Sequence, residues 1–80
     1  MRIGVKILPK NEVLDTQGRA VESTLKTHGQ AVDQVRVGKY VQLEIEERDE
    51  AKALARAKEI AEFVLYNPLI ENYELEVVKA

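Results

Sequence analysis

The chain opens on strict alternation, with Ile3, Val5 and Ile7 facing one way and Arg2, Gly4 and Lys6 the other. That two-residue period is the pattern of a half-buried β-strand. Pro9 limits its far end, because a proline cannot donate to a strand ladder. After the turn-like Lys10-Asn11-Glu12, Asp15 or Thr16 can accept hydrogen bonds from the free N–H groups of a following helix. This helix is expected to run to about His28. Val21 and Leu25 lie four apart on one face, Leu14 is placed to staple its start, and Gly29 suits the left-handed backbone that ends helices.

The two-residue period returns from Val32, and Val35, Val37, Val41, Leu43 and Ile45 are all odd-numbered. A two-residue hairpin loop at Gly38-Lys39 would pair Val37 with Tyr40 and split this apolar set between two faces. Two arrangements keep it together. One is a hairpin with the three-residue loop Gly38-Lys39-Tyr40, the preferred reading; the other is a single long strand bent by a bulge at Gly38. Asp49 then caps a second helix, in which Ala53, Leu54, Ala57, Ile60, Ala61 and Val64 recur at spacings of three and four. Asn67-Pro68 stops it, and Tyr73, Leu75 and Val77 alternate with Glu74 and Glu76 in a last strand. The expected fold is α+β, a βαββαβ open-faced sandwich with both helices on one face of a mainly antiparallel sheet. Its other face would carry Arg2, Lys6, Gln42, Glu44, Glu46, Glu74 and Glu76.

Eighty residues, 45% hydrophobic and 32% charged, suit one folded domain spanning residues 1–80. A core of this size rarely supplies more than roughly 3–5 kcal/mol without a staple. The chain has no cysteine for a disulfide, so self-association, as a dimer or higher, is the expected reinforcement. A net charge of −2 gives no long-range pull toward nucleic acid or anionic lipid. No stretch approaches the roughly 20 apolar residues of a membrane span. The first residues carry charges and lack a small-residue cleavage site, so a cytoplasmic location is expected.

Candidate chemistry is sparse. The only serine and histidine, Ser23 and His28, are five apart on the first helix, a rotation of about 500° that points them roughly 140° apart. His28 is better read as part of the helix cap. Gly38-Lys39 is similar to the end of a phosphate-binding loop, but the earlier glycine position holds Asp33 and the hydroxyl position holds Tyr40. Glu44, Glu46, Glu74 and Glu76 could share a sheet face, where Arg2 and Lys6 make cross-strand salt pairing the better reading. The aromatic residues are not arranged to stack RNA bases. No catalytic residue, metal ligand or cofactor site is expected in this chain.

Three stretches carry a resemblance that reaches along the whole chain: Val13-Leu14-Asp15-Thr16-Gln17-Gly18-Arg19-Ala20-Val21, Val35-Arg36-Val37-Gly38-Lys39-Tyr40-Val41-Gln42-Leu43, and Asn67-Pro68-Leu69-Ile70-Glu71-Asn72-Tyr73-Glu74-Leu75. Together they resemble the PurS family, small subunits of phosphoribosylformylglycinamidine synthase, also called formylglycinamide ribonucleotide amidotransferase. The family commonly has proline where this chain has Thr16, and often Pro-Gly where it has Asn11-Glu12. The resemblance implies a role in purine biosynthesis. It implies two partners, a large synthetase subunit that uses ATP and magnesium to amidate its substrate and a glutaminase subunit that supplies ammonia. The PurS-type subunit joins them, without catalytic residues and without binding a cofactor by itself. Carried over onto this sequence, Leu14, Asp15, Gln17, Gly18, Arg36, Gly38, Lys39 and Tyr40 become candidate subunit-contact residues. A small oligomeric regulatory domain that binds an effector at a subunit interface is the alternative the residues leave open.

Overall fold

Strand β1, Arg2–Pro9, is the central strand of a three-stranded sheet in the computed structural model, which describes residues 1–79. It pairs antiparallel with β2, Lys39–Glu44, on one side and with β3, Glu71–Val78, on the other. Val5 stands opposite both Val41 and Leu75. Flanked on both edges, the row Ile3, Val5 and Ile7 is left with at most 1% exposure.

Helix α2, Glu50–Ile60, lies over that row. Asp49 caps it, its carboxylate accepting from the N–H groups of Ala51 and Lys52 at 2.9 and 3.3 Å. The face turned to the sheet is Ala53, Ala57 and Ala61, all fully buried, and their small methyls let the helix axis come close. Leu43, Ile45, Leu54, Leu75 and Val77 pack around one end of this contact, and Val41, Leu65, Tyr66 and Tyr73 around the other. Burying a large aliphatic side chain contributes roughly 1.5–3 kcal/mol, so three such residues on one strand form the bulk of the core. The Tyr73 hydroxyl donates to Glu62 at 2.7 Å, and burial together with that carboxylate pushes its phenol up to about 12.

The second helix departs from expectation at its end. Ala61–Leu65 form a π-helical turn, whose wider winding shifts the phase of the apolar stripe. Leu65 therefore reaches the core, while Val64, expected in that stripe, is 63% exposed and Phe63 is 85% exposed. Asn67 then turns the chain into β3, its side chain accepting from Leu69 N–H and its carbonyl from Glu71 N–H.

Helix α1, Thr16–Thr27, begins at the Asp15 cap and ends at Gly29, whose φ of 79° is the left-handed value expected there. The carbonyls of its last turn are taken up by His28, Gly29 and Gln30 N–H. Two corrections concern its surroundings. Only α2 covers the sheet: no α1 residue belongs to the buried clusters among the described residues, so the expected pair of helices over one face is not formed. Nor does Leu14 staple the helix, since it is exposed and Arg19 stands where an apolar partner would be needed.

The fourth strand is also absent among the described residues. Residues 32–37 join no ladder, the Gly38-Lys39-Tyr40 hairpin does not form, and pairing begins at Lys39, so the order is βαβαβ. The physical reason lies on either side of Gly38. Val37 N–H donates to the Asp15 carboxylate at 2.9 Å rather than to a strand. At Gly38 itself the backbone passes so close to β1 that a Cβ would collide with the Ile7 carbonyl and the Leu8 side chain. Glycine here serves close approach, not a turn or a bulge.

The resulting body measures 48 × 30 × 14 Å, with a radius of gyration of 15.6 Å, against about 12 Å for a compact chain of this length. The alanine face supplies a direct check on this packing. Ala57→Asp places an unpaired charge against β1 and should cost on the order of 4 kcal/mol or more, enough to unfold the chain in circular dichroism. Glu59→Ala, on the exposed side of the same helix, should be nearly neutral; equal tolerance of the two would contradict the observed helix phase.

Candidate functional site

Most of the residues singled out in the sequence meet around the start of α1. Asp15 is the joint: one carboxylate oxygen accepts from Gly18 N–H and the other from Val37 N–H, both at 2.9 Å. These two backbone hydrogen bonds, with the Arg36 charge nearby, hold its carboxyl below the usual carboxylate range. Gly18 is the one buried residue of α1, and a Cβ there would meet the Val35 carbonyl and the Asp15 carboxylate. Arg36 completes the link by donating to the Asn11 side chain at 2.5 Å. Asp15, Gly18 and Arg36 thus fasten residues 35–37 to the helix start. Leu14, 61% exposed, and Gln17 remain on the surface beside them. An open groove of 740 Å³ runs along the same side of α1, bordered by Asn11, Arg19, Glu22, Asp33 and Arg36.

Lys39 and Tyr40 are neighbours in sequence that serve opposite faces of the sheet. Lys39 reaches the last turn of the second helix, its ammonium 3.3 Å from the Leu65 carbonyl and 3.9 Å from Glu71. A cation suits the negative end of a helix. Tyr40 lies on the open face, its ring across Gly4 of β1 where a Cβ would strike it, and its hydroxyl donates to Glu76 of β3 at 2.6 Å. Lys6 closes the group with a 2.9 Å ion pair to Glu76. The Tyr40 hydroxyl first, and Lys6 second, keep the Glu76 carboxyl below its ordinary range, and Glu76 raises the Lys6 ammonium above its own. Arg2 pairs with Glu44 beside them. The cross-strand salt pairing expected of this face is therefore present, and Gly4, which sequence reasoning passed over, is what lets one side chain span three strands.

His28 completes the helix cap, its Nδ1 2.8 Å from the Thr24 carbonyl. Among the described residues, no three His, Asp or Glu side chains converge as a metal site, and no helix is long and apolar enough to cross a membrane. What the arrangement offers is display. Fixed hydrogen-bonding groups and bare apolar side chains stand on a rigid frame, with Leu14 and Gln17 at one corner, Tyr40, Glu76 and Lys6 on one face, and Phe63 and Val64 at the second helix.

Comparison with known proteins agrees on one relationship. The sequence model of PurS, described as phosphoribosylformylglycinamidine (FGAM) synthase, matches residues 2–79. The chain is 43% identical over 77 residues to the phosphoribosylformylglycinamidine synthase subunit PurS of Synechocystis, a match covering 95% of this chain and 75% of that protein. Its fold is similar to that of Bacillus subtilis PurS, with a TM-score of 0.80 at 38% identity over 98% of each chain. It is also similar to a chain in the structure of PurLQS from Thermotoga maritima, with a TM-score of 0.86 at 30% identity over 94% of this chain and 93% of that one.

The Asp15 joint has a pH signature. Its carboxyl titrates lower in the folded chain, so the stabilisation it gives is complete above the unfolded value of about 3.9 and is lost as pH falls through the folded value. Asp15→Ala should therefore lower the melting temperature at neutral pH, and the gap from the parent chain should close only in acid, below about pH 4. A gap that stayed constant into strong acid would show that the charge of Asp15 holds nothing.

Proposed function

Because the chain belongs to the PurS family and is a subunit of phosphoribosylformylglycinamidine synthase, a glutamine-dependent ligase of purine biosynthesis, we propose that it is the connecting subunit of that complex. It joins the ATP-dependent synthetase subunit to the glutaminase subunit and keeps the ammonia released by one within reach of the other. ATP and magnesium belong to the synthetase in this reading, and the present chain supplies surface rather than chemistry.

The observation that carries the reading is the shape. A body only 14 Å thick has two large faces on opposite sides, one the polar sheet face with Arg2, Lys6, Tyr40 and Glu76, the other bearing α2 and the exposed Phe63 and Val64. Such a plate can touch two larger partners at once. The Thermotoga maritima relative solved as PurLQS supports partners of the same kind here. Ammonia lost to solvent must be found again at bulk concentration, so holding two active sites in register replaces a bimolecular encounter with a local one.

The same plate is too open to stand alone. Its accessible surface of 6095 Å² exceeds the about 4,900 Å² expected of a compact 9.1 kDa chain by roughly 1,200 Å². This excess supports a working unit that is at least a dimer.

Reconstitution tests the connecting role. Adding the chain to the two partners should raise amidation from glutamine several-fold while changing amidation from externally supplied ammonium little, because external ammonium bypasses the coupling. An equal rise in both activities would assign the chain a direct effect on the synthetase instead.

A further inference from the structure

Strand β3 ends the sheet, and its outer edge lacks the proline, lysine or bulge that commonly keeps such edges from pairing. It runs for eight residues, about 26 Å. Its register against β1 continues unbroken from Pro9 and Glu71 to Arg2 and Val78. Every second residue of an edge strand turns its N–H and C=O outward. Among the described residues, no backbone hydrogen bond takes up those outward groups along residues 72–78. The opposite edge, β2, is shorter at six residues and opens on Lys39.

The side chains of β3 say what kind of strand fits there. On the helix side Tyr73, Leu75 and Val77 are only half-buried, so an added strand with apolar residues on that side would extend their row. On the open side Asn72, Glu74 and Glu76 alternate. Glu76 is already held by Tyr40 and Lys6, whereas Glu74 is exposed and makes no ion pair among the described residues. A second copy is a poor occupant. A two-fold axis through Leu75 sets Glu74 opposite the Glu76 of the other copy, an axis through Glu74 sets it opposite its own equivalent, and like charges directly across a ladder repel. We propose that the outer edge of β3 takes up an extended segment of a protein partner in which apolar and basic residues alternate. Its main chain completes the ladder, its apolar side chains lie beside Tyr73, Leu75 and Val77, and its lysine or arginine side chains stand opposite Glu74. Charge then sets the register, since a slip of one residue would turn the basic row onto the apolar side. The inference rests on the connecting role and adds to it the place and mode of attachment.

Amide hydrogen exchange, read residue by residue over positions 72–78, tests this directly. In the chain alone every second amide should exchange fast, because only the amides facing β1 are bonded. The synthetase and the glutaminase are then added, singly and together. Binding of the partner that supplies the strand should slow the fast set at least about tenfold and leave the slow set as it was. Association seen by sedimentation with the fast set unchanged would overturn the edge proposal and leave the connecting role standing. Association with neither partner, together with no gain in amidation from glutamine, would overturn both. Protection of the fast set in the chain alone, rising with its concentration, would give the edge to a second copy and overturn the proposal. Glu74→Lys, an exposed substitution, should keep its circular dichroism spectrum and weaken association with the strand-supplying partner at least about tenfold. Undiminished association of that folded variant would overturn the assignment of a basic segment.

Discussion

The contact between the alanine face of α2 and the Ile3, Val5 and Ile7 row of β1 is the constraint on which the rest of the structure depends. Three methyl groups let the helix settle close to the central strand, and those three aliphatic residues are consequently the only large side chains fully buried among the described residues. The same closeness limits what one helix can cover. It serves β1 and β3 well and leaves β2 half-covered, while the Asp15 joint fixes the start of α1 beside Val37. A core this small is marginal for 80 residues, so the uncovered surface is a cost to the lone chain.

Around that contact the polar residues act as joints. Asp15 ties the start of α1 to residues 35–37 through two hydrogen bonds, and Tyr40 reaches over Gly4 to Glu76, linking all three strands on the open face. Groups held this way lose little freedom when a partner docks, which favours binding by pre-organisation. Under the proposed connecting role, that pre-organisation matters more than a reactive group.

Much of this was legible in the sequence wherever the information is local. The alternation in β1 and β3, the alanine spacing of α2, the caps at Asp15 and Asp49 and the salt pairs of Arg2 and Lys6 all follow from periods and side-chain chemistry. Where the outcome depends on what the backbone meets, local pattern was insufficient. Residues 32–37 alternate as a strand does, yet Asp15 takes the Val37 N–H and no strand edge is supplied. Val64 keeps the helical spacing, but the π-helical turn rotates it outward. The candidate contact residues came from family resemblance rather than from chemistry visible in the chain. The structure places Asp15, Gly18, Arg36 and Gly38 at its internal joints, and Leu14 and Gln17 on the surface. Gly4 was missed because a glycine in a polar row reads as a small surface residue, although glycine inside a strand also marks close approach by another group.

The claim that this chain couples two active sites is tested most directly by following the transferred nitrogen. The assembled enzyme would be given glutamine labelled in its amide nitrogen together with an excess of unlabelled ammonium, and the label in the amidated product measured with and without this chain. The account predicts that the product keeps the glutamine label when the chain is present and that the label is diluted by ammonium when it is omitted. Equal dilution in the two mixtures would contradict it.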